Sequence, residues 1–189
     1  MSTDDRQQQT GSQTEASVKE RLASLGLSVT KPVPDRGVDL EVRSPGSDTP
    51  VIKVQVKGRG AMQKNGRFRW FQIRTTPAQR EQTVLVGLPP SCAWEKKVRI
   101  CDFFILVAQK FDEFWVLPQA QVLEIGRANR LVYGRRKDNT EGRQAELDLD
   151  IEVDGKLLTE VYGAYLESFE LVRTELERRI SEQGDGCGG

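Results

Sequence analysis

Two runs, Gly37-Val38-Asp39-Leu40-Glu41-Val42 and Val51-Ile52-Lys53-Val54-Gln55-Val56-Lys57, alternate apolar and polar residues. A period of two is a strand signal, and it places Val38, Leu40 and Val42 on one face of the first strand. In the second run Ile52, Val54 and Val56 share a face, while Lys53, Gln55 and Lys57 share the other. The connecting segment, Ser44-Pro45-Gly46-Ser47-Asp48-Thr49-Pro50, is dense in turn formers, which predicts a hairpin. With both apolar faces on one core, Asp39, Gln55 and Lys57 converge on the opposite face. A carboxylate, a carboxamide and an ammonium at one spot make a candidate metal-assisted phosphodiester site.

Charge is balanced overall, with 28 basic and 28 acidic residues, so no global polycation argument applies. Its distribution is uneven. From Thr49 through Arg80 there is no acidic residue, yet Lys53, Lys57, Arg59, Lys64, Arg67, Arg69, Arg74 and Arg80 are all present, and acids predominate from Glu141 onward. This asymmetry concentrates positive potential near the hairpin and suits phosphate contact, with a solvated basic face as the plainer alternative. Histidine is absent, which removes histidine triads, histidine general bases and histidine-containing zinc sites. Cys92, Cys101 and Cys187 have no metal-like spacing and no obvious pairing, which favours a cytoplasmic setting. No segment is apolar enough to span a bilayer and no secretory signal leads the chain, so no membrane partner is expected.

Along the chain, residues 1–11 read as a disordered polar tail, 12–183 as a single domain, and 184–189 as a loose glycine-rich tail. A helix is expected from about Thr14 to Leu25 with Gly26 as its stop, then a short strand at Leu27-Ser28-Val29 and the hairpin. Arg67 to Arg74 has strand character. Thr75 to Trp94 is ambiguous, with Val84-Leu85-Val86 suggesting a strand. Val98 to Val107 reads as the buried central strand, Phe114 to Leu117 as another, Gln119 to Ala128 as a short helix, and Gly134 to Glu141 as a loop. Leu147 to Val153 alternates like an edge strand ending at Asp154-Gly155, and a long helix is expected from Leu158 to Ile180. This order gives an α/β (α+β) domain: a mixed central β-sheet flanked by helices.

Asp39, followed by Gln55-Val56-Lys57 at the end of the next strand, resembles the PD-(D/E)XK nuclease superfamily, in the variant with glutamine replacing the second acid. The helix Thr14 to Leu25 with its glutamate, then Gly26 and a short strand, is similar to the opening element of that family. Asp102 to Val107 and Phe114 to Pro118 resemble later sheet strands of its small members, including restriction and Holliday-junction-resolving enzymes. The resemblance implies a restriction-endonuclease-like fold and a divalent-metal-dependent endonuclease acting on double-stranded DNA. RNA stays open as a substrate, and a homodimer follows by analogy. The alternative is an inactive nuclease-like domain that binds nucleic acid or serves assembly, motivated by the neutral Gln55.

Each residue has its own argument. Asp39 is a mid-strand carboxylate that needs a partner, and Mg²⁺ (or Mn²⁺) takes oxygen ligands; a surface aspartate beside a turn is the competing reading. Asp35, in the literal Pro34-Asp35 dipeptide, precedes the strand and is set aside. Gln55 offers a neutral oxygen, and Lys57 can orient water and neutralise phosphate charge. Glu15 falls within about 60° of Val18 and Leu22 on a helical wheel, facing the core, where a carboxylate could restore the charge missing at Gln55; an N-terminal dipole contact competes. Glu41 is a reserve carboxylate. The catalytic set is therefore Asp39, Gln55, Lys57 and Glu15, with Asp39, Glu15 and Gln55 as metal ligands. Arg59, Lys64, Arg67, Arg69 and Arg74 are the expected nucleic-acid contacts, and Trp70 is expected in the core.

Overall fold

The strand β5, Phe103–Ala108, is buried at every position, and the architecture follows from hiding both of its faces. A computed structural model describes residues 3–33, 37–59, 67–133 and 144–185. β3 (Ile52–Arg59) runs parallel to β5 from Val54↔Phe103 to Arg59↔Ala108. β2 (Leu40–Arg43) pairs antiparallel with β3, β1 (Ser28–Thr30) with β2, and β6 (Glu113–Pro118) with β5. The order β1-β2-β3-β5-β6 is a mixed sheet with one parallel pair at its centre.

Parallel neighbours need a crossover. Here it comprises β4 (Trp70–Arg74), α2 (Pro77–Leu85), a 3₁₀ turn and α3 (Ala93–Val98). Phe71, Ile73, Trp94 and Val98 from this crossover join Phe104 and Leu106 in one core. On the other face α1 (Thr3–Ser24) contributes Val18 and Leu22, and α6 (Glu170–Asp185) contributes Val172 and Leu176. These pack on Val42, Ile52, Val54, Ile105 and Val116. β4 pairs with β7 (Gln144–Asp148), and α4 (Gln119–Tyr133) lies against β7. Asn129, 1% exposed, gives this second sheet a substitute edge: its side chain accepts from Asp148 N–H at 2.9 Å and donates to Asp148 C=O at 3.1 Å.

The hairpin forms in the expected register, Leu40↔Val54 and Val42↔Ile52. Val38 departs from it. It packs with the crossover core, whereas Leu40 and Val42 pack with the helices. Alternation applies only inside a strand, and β2 begins at Leu40, after Gly37 has turned the chain at φ +84°.

Four other expectations change. α1 begins at Thr3, inside the segment read as a disordered tail, because a glutamine-rich run carries adequate helix propensity. Val84-Leu85-Val86 is no strand: Thr76 and Gln79 form a reciprocal capping box that starts a helix through Leu85. Leu147 to Val153 is divided between β7, an edge strand that is buried because α4 covers it, and a hairpin of β8 (Glu152–Val153) and β9 (Lys156–Leu157). Its turn residues Asp154 and Gly155 have φ +51° and +75°, as the right-handed twist of a tight hairpin demands.

The expected Leu158 to Ile180 helix is divided as well, into α5 (Leu158–Val161), a 3₁₀ turn and α6. Glu167 breaks it. At φ +54° its N–H donates to Phe114 C=O (2.7 Å) while its carboxylate accepts from Phe114 N–H (2.9 Å), covering the edge of β6. The Gly134 to Glu141 loop lies outside the described residues. No helix among the described residues is long and apolar enough to cross a membrane.

Candidate active site

Gly37 and Val38 set up the site. With Val38 held in the crossover core, Asp39 enters the hairpin through its N–H, which donates to Val54 C=O at 3.0 Å. Its side chain then turns back onto β3: Oδ2 accepts from Val56 N–H at 2.7 Å and from the Gln55 amide nitrogen. Gln55 is 4% exposed and Asp39 half-buried. The Gln55 nitrogen is thus committed to Asp39, and the amide oxygen is the atom it can offer to a ligand.

Alternation along β3 carries Lys57 on the same face two residues on, about 6.6 Å along the strand. Lys57 is half-buried and makes no hydrogen bond or ion pair among the described residues. The site occupies the open end of the hairpin, away from the Ser44 to Pro50 turn.

Beneath it lies Cys101, 1% exposed, whose thiol donates to Gly37 C=O at 3.6 Å. Burial and then the carboxylates of Asp39 and Asp102 push this thiol up to about 12, which keeps it protonated at neutral pH. The sequence offers no spacing or pairing that would place Cys101 near the site. Its place under the Asp39 turn depends on a contact across 64 residues, for which no local pattern exists.

Glu15 sits mid-helix in α1, so an N-terminal dipole contact is ruled out. Its neighbour Thr14 lies against Gly58 near the end of β3, which brings that turn of α1 to the open end of the hairpin. The Glu15 carboxylate pairs with Lys31 Nζ at 2.9 Å. Glu41 pairs with Arg43. Among the described residues no group of three or more histidine, cysteine, aspartate or glutamate side chains is placed to hold a metal ion. The hard-oxygen donors here are the Asp39 carboxylate and the Gln55 amide. Two oxygen donors do not make an all-protein cage, and a hard divalent cation held by them would keep several of its own waters.

The basic residues divide. Arg67 pairs with Asp148 at 3.1 Å and bonds the Tyr133 hydroxyl. Arg69 forks onto Glu113 (2.6 and 2.7 Å) and also reaches Asp150 at 2.9 Å. Both arginines, expected at phosphates, are therefore engaged by carboxylates of this chain. Arg59 and Arg74 have no such partner among the described residues, and Lys64 lies outside them. Trp70, expected in the core, is half-buried beneath Arg59, whose Cζ lies 4.7 Å from the ring centroid.

This fold is the helix-flanked mixed sheet of restriction-endonuclease-like proteins. The sequence matches the PD-(D/E)XK endonuclease family over residues 5–148, and the chain belongs to that family. Among solved structures it is similar in fold to the bacterial homing endonuclease I-Ssp6803I. The TM-score is 0.51 at 19% identity, over 93% of this chain and 95% of that one. Among curated proteins no sequence matches.

Proposed function

We propose that this protein is a divalent-metal-dependent endonuclease that hydrolyses phosphodiester bonds in double-stranded DNA. The observation that carries the reading is the Asp39–Gln55 contact with Lys57 two residues further on the same face. Membership of an endonuclease family supports it.

In this reading Asp39 and the Gln55 amide oxygen hold Mg²⁺ or Mn²⁺, with Glu15 as a further ligand when it exchanges Lys31. A bound cation would polarise the phosphate and lower the pKa of water. Val56 N–H fixes the Asp39 carboxylate, and the buried Gln55 amide holds it from the side, so the ligand oxygens are set before substrate arrives. Lys57 places its ammonium where charge develops on the phosphate and orients the attacking water. Cutting both strands of a duplex requires two such sites, which a homodimer supplies. A DNA substrate and thiols left free at Cys92 and Cys101 suit the cytoplasm.

A second reading, an inactive binding module, is favoured by one observation. The Asp39–Gln55 pair offers one carboxylate where two would hold a metal more tightly.

The test is incubation with supercoiled plasmid, linear duplex and single strands in Mg²⁺, Mn²⁺ or EDTA. Cleavage should require metal and disappear in Asp39→Ala and Lys57→Ala, with thermal unfolding showing that the fold persists. Gln55→Glu should tighten metal binding. Intact substrate under every condition, with a folded protein, would leave the binding module.

A further inference from the structure

Arg59 is the last residue of β3, two beyond Lys57 and on the same face. Its half-buried guanidinium lies over the Trp70 ring, with Cζ 4.7 Å from the centroid. Trp70, Gln72 and Arg74 share the outward face of β4, because Phe71 and Ile73 point into the core. Arg74 is steered along this row by Gln72, whose amide oxygen accepts from it at 3.1 and 3.3 Å. Lys97 from α3 donates to the Arg74 carbonyl at 2.7 Å and adds a third cation.

No carboxylate among the described residues pairs with Arg59 or Arg74. The charged group that acts on Arg59 is Arg74, and burial and this like charge both hold its pKa below the usual arginine range. Elsewhere the half-buried arginines Arg67, Arg69 and Arg179 each have a carboxylate at 2.6–3.1 Å. A half-buried guanidinium with a like charge nearby and no carboxylate partner is unfavourable until an anion neutralises it.

We propose that Arg59 and Arg74, braced by Trp70 and Gln72, form an anion subsite for the phosphodiester next to the one cut at Lys57. About 6.6 Å separates residues 57 and 59 along the strand, on the order of one nucleotide step. The ligand is a backbone phosphate, so the contact carries no base preference. This rests on the nuclease reading for its neighbour, but not for its own binding.

The experiment measures binding of a fluorescent duplex in EDTA over a salt series, for wild type, Arg59→Ala, Arg74→Ala and, as a control, Arg127→Ala, an exposed arginine of α4 paired with Glu95. Arg59→Ala and Arg74→Ala should each weaken binding about tenfold, equally on unrelated sequences. Each should also lower the slope of log K on log salt by about one. Arg127→Ala should match wild type. Arg74 is exposed and its truncation disturbs no core contact, so it decides the matter if Arg59→Ala fails to fold. Affinities within twofold of wild type, or losses no larger than in Arg127→Ala, overturn the subsite. In Mg²⁺ the same variants should raise KM while leaving kcat. Absence of cleavage in wild type would sink the nuclease reading yet leave the EDTA result to decide the subsite.

Discussion

Gly58 shows how a single residue sets the approach of α1 to the site. A Cβ built there would lie 2.4 Å from Thr14 Oγ1 and 3.0 Å from its Cβ and Cγ2. Thr14 also accepts from the Gln109 amide at 2.7 Å, so it is not free to move aside. Gly58→Ala should therefore cost about 1–3 kcal/mol in urea unfolding, and adding Thr14→Ala should recover part of that loss. Cys101 offers a second test. It is 1% exposed and its thiol is pushed up to about 12, so alkylation at pH 8 followed by peptide mapping should modify Cys92 well before Cys101. That Gln55 and Lys57 share a face was legible, because alternation along β3 fixes it, whereas Asp39 precedes β2 and meets Gln55 through the turn at Gly37. The side-chain partners of Glu15, Arg67 and Arg69 were not. Lys31, Asp148 and Glu113 come from elements whose spatial neighbourhood no local period encodes.

At the scale of elements, α4 and β7 depend on two tight fits. Gly126 admits the Trp94 ring, and an added Cβ would stand 2.6 Å from it. Alanine raises helix propensity by up to about 1 kcal/mol, but overpacking costs about 1–3 kcal/mol. Gly126→Ala should be net destabilising, as read by chemical denaturation. Asn129→Ala removes the partners of two buried backbone groups of Asp148 and should cost about 2–4 kcal/mol by the same measurement. The hairpin and β6 could be read from their runs, and so could the second half of the expected Val98 to Val107 strand. Val98 itself ends α3, and β5 begins only at Phe103. α2 was obscured, because Val84-Leu85-Val86 has strand composition while Thr76 and Gln79 fix a helix. The broken C-terminal helix was equally hidden, since Glu167 adopts a positive φ for a bond to β6, an edge that exists only once the sheet has formed.

Across the whole molecule, balanced charge means that cations serve either the fold or a ligand, and the acid-free stretch from Thr49 to Arg80 contains both kinds. Arg69 belongs to the fold. Its guanidinium bonds Glu113 and Asp150 and lies 4.4 Å over Phe111, while Asp150 also accepts from the N–H groups of Phe68 and Arg69. These contacts tie the start of β4 to β6 and to the chain beyond β7. Arg69→Met would leave two half-buried carboxylates without their cation. Removing one partner of a fully buried pair costs about 3–5 kcal/mol, and with a fifth of each side chain exposed the loss here should be about 2–3 kcal/mol. Arg69 also holds the Glu113 carboxyl below its ordinary value of 4.5. A depressed carboxylate stabilises the folded state above its unfolded pKa, and that contribution fades as pH falls through the folded value. Wild-type stability should therefore decline below about pH 4.5, and this acid limb should be shallower in Arg69→Met. Duplex affinity of the folded variant at fixed salt should stay near wild type, opposite to Arg59→Ala. Unfolding measured from pH 3 to 7 beside anisotropy at neutral pH separates the two roles. A binding loss in Arg69→Met equal to that in Arg59→Ala would return Arg69 to the nucleic-acid surface.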